Sequence, residues 1–467
     1  MTHVTGCGTL TSKEDDMMFK KMLVVCLTLV LLSVSLPALA QSTEENFVIQ
    51  YAKDMMSGEK NAELYDLFTD DVKTKFPREA FDAAWPQTTV MYGNFESFGS
   101  FAYQQAQGYD IYMLRLNMVK KDLMLQLTLD ASGKVAGFFF TNAPDEVEAT
   151  PAKNNLPEGI VEEAVTVGDG DWALPGTLTL PESGSSFPAV VLVHGSGPND
   201  RNETVGSTML FRDMAWKLAQ NGIAVLRYDK RTFAHGAKFT PEILVDFTVR
   251  EETIDDALLA GKLLAADGRI DSTKIFLVGH SLGAMLGPRI AFEGSGLFAG
   301  MVLLNGSPLP LTDIVIAQNN DALAGLTEEQ RAAQQPLLDA ELQKLDALKQ
   351  MPAEELKSTT VFGMSGYYLN EMSQSDPAAL VLMLKLPTLI VQGGKDFQVS
   401  VENGLDAWKK AIGEQEFVTY TLYPELNHPM MVYTGDPALQ YTIQEYNTPA
   451  SLDETAGNDI VNWILSH

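Results

Sequence analysis

Between residues 44 and 140 the spacing of apolar side chains changes from helical to alternating. Phe47, Tyr51 and Met55, and later Leu64, Leu67 and Phe68, recur at intervals that put them on one side of a helix. Residues 109–116 and 123–129 instead alternate apolar and polar positions, as half-buried strands do. Helices followed by an antiparallel meander predict a small α+β domain over residues 41–140. Residues 141–157, acidic and proline-bearing, read as a linker. From residue 158 onward strand and helix patterns alternate, the signature of a mostly parallel sheet covered on both faces. The short apolar runs 189–193, 223–227, 275–278, 301–304, 386–391 and 417–422 suit its strands. Residues 311–375 break the alternation: a polar, glutamine-rich helical stretch lies between two consecutive strands. It is expected to be a lid over a site, the alternative being a helical excursion without a role.

At the N-terminus Lys20 and Lys21 precede the apolar run 22–36, and Pro37-Ala38-Leu39-Ala40 supplies the small residues at which a signal peptidase cuts. Residues 1–40 are therefore expected to be a secretory signal cleaved after Ala40, with translation starting at Met17 or Met18 and the mature protein secreted or periplasmic. A membrane anchor is the competing reading, but the run is shorter than the roughly 20 apolar residues a bilayer span needs. Cleavage would remove Cys7 and Cys26, the only cysteines, which excludes disulfides and thiol catalysis in the mature chain. Cys26 lies inside the apolar run and not at its end, so a lipid anchor is not expected. The 467 residues suit two domains, and 33 Lys and Arg against 61 Asp and Glu give a net charge of −28. That charge repels phosphate backbones and anionic headgroups, and with no basic patch in view it argues against nucleic acid as a partner.

The candidate chemistry is concentrated after the apolar runs. Gly279-His280-Ser281-Leu282-Gly283 follows the run 275–278 and opens a helix-compatible stretch. A nucleophile on such a strand-to-helix turn needs glycines around it, because the backbone leaves no room for side chains. The motif is weak alone and strong in this position. A serine nucleophile also needs a base and an orienting carboxylate. Asp396 lies just past the run 386–391 and His428 past the run 417–422, in the order acid then histidine. Of the other histidines expected in the mature chain, His194 and His280 belong to other motifs, and His235 and His467 lack this topology. The catalytic set is thus Ser281, Asp396 and His428. The oxyanion hole is expected from the backbone N–H of Leu282 and that of Ser196, in His194-Gly195-Ser196-Gly197 after the run 189–193. Arg227-Tyr228-Asp229-Lys230-Arg231-Thr232 ends another strand, where Arg227 could clamp a substrate carboxylate or serve an ion-paired loop. In the insertion, Phe362, Met364, Tyr367, Tyr368 and Leu369 could line an acyl pocket, Tyr367 and Tyr368 foremost, or simply pack the lid onto the core. No zinc-binding, paired-cysteine or phosphate-loop motif is present in the sequence, and catalysis is expected to need no cofactor.

The segments His194-Gly195-Ser196-Gly197-Pro198-Asn199-Asp200-Arg201, Arg227-Tyr228-Asp229-Lys230-Arg231, Gly279-His280-Ser281-Leu282-Gly283 and Leu426-Asn427-His428 together resemble exported bacterial α/β-hydrolases of the dienelactone-hydrolase and prolyl-oligopeptidase-like group. The resemblance covers residue 159 to the C-terminus. The N-terminal region is similar, by pattern and position only, to small α+β domains of unknown role that precede such hydrolases. The resemblance implies an α/β-hydrolase sheet with a helical lid and hydrolysis of small-molecule esters, with thioesters, amides and small peptides in range. Dienelactone hydrolases proper use a cysteine nucleophile. Ser281 in its place favours ordinary carboxylic esters. Two other functions compete: a small-peptide or amide hydrolase on the same triad, and a catalytically silent cell-envelope binding protein.

Overall fold

The computed structural model describes residues 38–106, 109–130, 132–142, 156–239 and 241–467. The expected signal peptide up to residue 37, both cysteines and most of the expected linker lie outside the described residues.

Among the described residues the N-terminal region holds helices α1 (Ala38–Ser57), α2 (Asn61–Asp66), α3 (Asp70–Lys75) and α4 (Arg78–Tyr92). Strands β1 (Phe95–Ala106), β2 (Tyr109–Met118), β3 (Leu123–Leu129) and β4 (Val135–Asn142) follow and form an antiparallel sheet in chain order. In β3 the odd positions Leu123, Leu125, Leu127 and Leu129 are buried while the residues between are half-exposed, the period of two that the sequence displays. They pack with Val48, Tyr51, Ala52 and Met55, spaced three and four apart on α1. Each buried Leu, Val or Met among them contributes about 1.5–3 kcal/mol on burial. The buried stripe of α1 is turned slightly from the expected one, so that Phe47 stands at its margin and is 39% exposed. This small α+β unit has its own apolar core.

The second sheet has eight strands: β5 (Ile160–Val167), β6 (Leu174–Pro181), β7 (Phe187–Val193), β8 (Ala224–Tyr228), β9 (Ile270–His280), β10 (Gly300–Leu304), β11 (Thr388–Gly393) and β12 (Val418–Tyr423). Their order across the sheet is β12-β11-β10-β9-β7-β8-β6-β5. Only β6 runs against its neighbours; the other pairings, β7 with β8 and the series from β7 to β12, are parallel. Residues 189–193 of β7 are wholly buried, because helices cover both faces of the sheet. Helices α5 (Leu210–Gln220) and, at the C-terminus, Glu454–Ser466 share one apolar cluster with the sheet. Helices α6 (Asp255–Ala266) and α7 (Leu282–Glu293) share the cluster on the other side.

β7 leads through α5 to β8 on one flank, and the chain then crosses back through α6 to β9 on the other. The loops after β7 and β9 therefore meet over the carboxyl edge of the sheet, where open α/β sheets bind ligands. Between β10 and β11 the insertion folds into helices α8 (Leu311–Ala324), α9 (Glu328–Leu348), α10 (Ala353–Ser358) and α11 (Gly366–Met372), with a two-residue-stranded hairpin at 360–365. Phe362, Met364, Tyr368 and Leu369 join the apolar cluster of α6 and α7. β5, at the sheet edge, is absent from the apolar runs because its inner positions are partly exposed and partly polar, as Glu162 and Glu163 illustrate. β9 begins at Ile270, earlier than its apolar run, since a register break between Ile270 and Ile275 carries polar residues into the strand.

Candidate active site

Ser281 stands between the last residue of β9 and the first of α7, with φ 55° and ψ −116°. A non-glycine residue adopts this backbone only where its surroundings over-determine it. A Cβ on Gly279 would lie 2.3 Å from the Gly283 carbonyl oxygen, and one on Gly283 would lie 2.1 Å from that of Val193. Side chains at either position would push the elbow off the sheet. The Ser281 N–H is held by the Leu304 carbonyl at 2.9 Å. Leu282 is the first residue of α7, where backbone N–H groups have no partner within the helix.

Asp396 follows β11 and is 6% exposed. Its Oδ1 accepts the backbone N–H groups of Gln398 and Val399 at 2.8 and 2.9 Å. Its Oδ2 lies 2.7 Å from Nδ1 of His428, on the loop after β12, and also accepts from Gln392 Nε2 at 3.2 Å. A carboxylate fixed in this way fixes the ring, and with it the tautomer that leaves Nε2 free to accept a proton.

The loop after β7 lies against the elbow: a Cβ on Gly195 would be 3.1 Å from Ser281 Cβ. Gly195 is anchored at both ends. Its N–H donates to Glu203 Oε1 at 2.7 Å, and its carbonyl accepts Lys230 Nζ at 2.8 Å. Asn199 Nδ2 spans the carbonyls of Gly195, Ser196 and Gly197 at 3.0–3.2 Å. His194, fully buried, is pushed down to about 4 mainly by burial, and its Nε2 meets the Asp200 carbonyl at 3.1 Å as a neutral ring.

A model of the alpha/beta hydrolase family matches residues 190–456, a span holding all of these loops. The chain belongs to the alpha/beta hydrolase family. Residues 53–138 match a family of proteins of unknown function, DUF3887. The hydrolase is 32% identical over 412 residues to Esterase EstD of Thermotoga maritima, covering 88% of this chain and 93% of that protein. Among solved structures it is similar to Est1E from Butyrivibrio proteoclasticus (16% identity, 65% of this chain and 98% of that one, TM-score 0.42). It is also similar to a dienelactone hydrolase from Anabaena variabilis (16% identity, 66% and 99%, TM-score 0.37).

The reading of Arg227 as a substrate clamp is corrected. Its side chain is 4% exposed and its guanidinium bonds Glu162 and Asn202, joining β8 to β5 and to the loop after β7. The neighbouring Asp229 is likewise taken up by Arg201, through Nε at 2.9 Å and Nη2 at 2.7 Å. Tyr368 does not offer its hydroxyl to a pocket either, since it donates to the buried Glu252 at 2.6 Å. Tyr367 is half-buried with Lys357 Nζ 5.3 Å from its ring centre.

Two buried groups to which the sequence assigned no role brace the carboxyl edge of the hydrolase's sheet. Asn305, wholly buried just past β10 with φ 50°, accepts the Gly393 N–H at 2.7 Å and donates to the His428 carbonyl at 2.5 Å. It ties the acid loop to the histidine loop. His280 approaches the same carbonyl through Nε2 at 3.0 Å, and its Nδ1 lies 3.1 Å from Glu203 Oε2. Burial opposes a charge on His280, but the Glu203 carboxylate and the His428 carbonyl outweigh it and raise its pKa. Burial likewise opposes ionisation of Glu203, and His280 outweighs it and lowers the pKa. An asparagine directly after a strand and before Gly306 is the one local signal available for Asn305.

Proposed function

We propose that this hydrolase cleaves carboxylic esters through an acyl-enzyme on Ser281, with His428 as general base and Asp396 as its orienting carboxylate. Ser281 Oγ attacks the ester carbonyl carbon while its proton passes to His428 Nε2. The carbonyl oxygen becomes an anion facing the N–H groups of Leu282 and Ser196. Collapse breaks the C–O bond to the alcohol, which leaves with the proton held by His428. Water then attacks the acyl-serine and gives a proton to His428, which returns it to Ser281 Oγ as the bond to the acyl carbon breaks and the acid is released. Each oxyanion donor contributes about 3 kcal/mol to this path.

The observation that carries the reading is the buried Asp396–His428 pair at 2.7 Å, two loops away from a serine held at positive φ on the same sheet edge. The relative named an esterase, sharing 32% identity over nearly the whole chain, supports ester as the bond cleaved. Residues 158–467 make the catalytic domain, with 311–375 as its lid. A second sheet and a separate apolar cluster support residues 41–140 as an independent domain joined through the linker 141–157. Export with cleavage after Ala40 is supported by the apolar run 22–36 and its small-residue end. Among the described residues no helix is long and apolar enough to cross a membrane.

Ser281→Ala tests the proposal. It is expected to abolish turnover of a short-chain ester and stoichiometric labelling by a fluorophosphonate in a protein that still unfolds cooperatively. Retained labelling would refute Ser281 as the nucleophile.

A further inference from the structure

Lys230 and Glu252 form an ion pair at 2.8 Å, with side chains 2% and 1% exposed. Neither has a place in the reaction above. Two charges withdrawn from water cost several kcal/mol unless further hydrogen bonds hold them. Those bonds lead in two directions. Lys230 Nζ donates to the Gly195 carbonyl at 2.8 Å, and Tyr368 of lid helix α11 donates to Glu252 Oε2 at 2.6 Å. Three side chains thus connect the lid to the loop that faces Ser281.

The Gly195 carbonyl shares its peptide plane with the Ser196 N–H. In a trans peptide the two point in opposite directions, so whatever grips the carbonyl aims the N–H. A cation on that oxygen also draws electron density along the amide and makes the N–H a stronger donor. The Gly195 N–H, committed to Glu203 at 2.7 Å, fixes the adjoining peptide. Asn199 Nδ2, at 3.2 Å, also bonds the Gly195 carbonyl, but as a neutral amide.

We propose that Lys230 is a positioning residue for the oxyanion hole, and that the Tyr368–Glu252–Lys230 chain makes the strength of the Ser196 donor depend on docking of α11. The lid therefore controls transition-state stabilisation as well as access. The inference rests on the proposed acyl-Ser281 reaction with Ser196 as an oxyanion donor. It gives Tyr368 a task other than lining an acyl pocket.

The test uses the full mature chain. The double variant Lys230→Met with Glu252→Gln removes both charges together and leaves no unpaired ion in the core. Its kcat on short-chain esters is expected to fall by about tenfold to a hundredfold with KM within about twofold, less than the loss of a whole oxyanion donor. Affinity for a trifluoromethyl ketone, whose adduct with Ser281 places an anionic oxygen in the hole, is expected to fall in parallel. Tyr368→Phe deletes one hydroxyl and keeps the ring. It is expected to lower kcat about threefold or more, equally for short and long acyl chains. A merely structural chain would lower the melting temperature or shift KM without changing the preference for the ketone over substrate. Wild-type kcat and ketone affinity in a folded double variant would overturn the proposal. If that protein does not fold, unchanged kcat in Tyr368→Phe overturns it, as does a loss that varies with acyl length. Turnover surviving in Ser281→Ala would instead overturn the underlying reaction.

Discussion

Replacing Asn305 by Ala removes a wholly buried amide that bonds the Gly393 N–H on one loop and the Asn427 and His428 carbonyls on another. The Gly393 N–H loses its acceptor and is left unsatisfied in the core, which costs about 1–3 kcal/mol. The His428 carbonyl keeps the His280 ring as a donor at 3.0 Å, so no second orphan arises there. Alanine at φ 50° adds about 1 kcal/mol, because it keeps the Cβ that crowds the following carbonyl but lacks the polar side chain whose hydrogen bonds let asparagine hold this conformation. The sum, about 2–4 kcal/mol, corresponds to a fall in Tm of roughly 4–8 °C for a domain of this size. Activity should suffer as well. With Asn305 gone the acid and histidine loops keep the Asp396–His428 pair and the bond from the Lys395 N–H to the Leu426 carbonyl at 2.8 Å but lose the bridge from Gly393 to His428, and displacements well under 1 Å at such a site cost about tenfold in rate. Scanning calorimetry and initial rates on a short-chain ester measure the two effects. Asn305→Gly separates them, since glycine accepts the positive φ but restores none of these hydrogen bonds. Its Tm is expected to recover in part while kcat stays low. A variant Asn305→Ala with Tm within 1 °C and kcat within twofold of the parent, thresholds set by the roughly 2 kcal/mol lower bound, would refute the reasoning. So would full recovery of kcat in Asn305→Gly.

Asp396→Asn should fold normally, because an amide oxygen can still accept the Gln398 and Val399 N–H groups, while kcat drops by about 10⁴ as His428 loses its orienting carboxylate. Near-normal turnover would point to another acid. The Glu203–His280 pair predicts a pH signature in stability. His280 has its pKa raised above the ordinary 6.5, so its contribution is full below 6.5 and is lost as pH rises through the raised value. Glu203 has its pKa lowered below 4.5, so its contribution is full above 4.5 and is lost as pH falls through the lowered value. Tm of the parent minus Tm of Glu203→Gln, followed across pH, is therefore expected to decline on the alkaline side of 6.5. In the variant the Glu203 carboxylate no longer favours a charge on His280, and burial is opposed only by the His428 carbonyl and Asp396, so the decline on the alkaline side is expected to be lost from the variant itself. A difference independent of pH would show that the pair is not ionised.

The elements whose chemistry is local were legible in the chain. Residues 189–193 read as a strand buried on both faces because nearly every side chain there is apolar, and they are wholly buried. Gly279 and Gly283 announce the elbow because only glycine fits where a Cβ would meet a carbonyl at little more than 2 Å. The order of Ser281, Asp396 and His428, each after a strand, follows from one topology, so the three could be proposed as a triad before any distance was known. Tertiary structure alone decided what the remaining polar groups do. Arg227 looks the same in sequence whether it meets a substrate or Glu162, 65 residues away. Tyr368 looks the same whether it lines a pocket or bonds Glu252, 116 residues away. Glu203, Lys230 and Asn305 carry no periodic signal, since their partners are a backbone amide, a carbonyl and loops brought together only by strand order. A hydrophobic pattern records which side of an element faces the core, because burial acts on each residue separately. A hydrogen bond between distant loops depends on two positions at once, and its geometry exists only after the sheet has assembled.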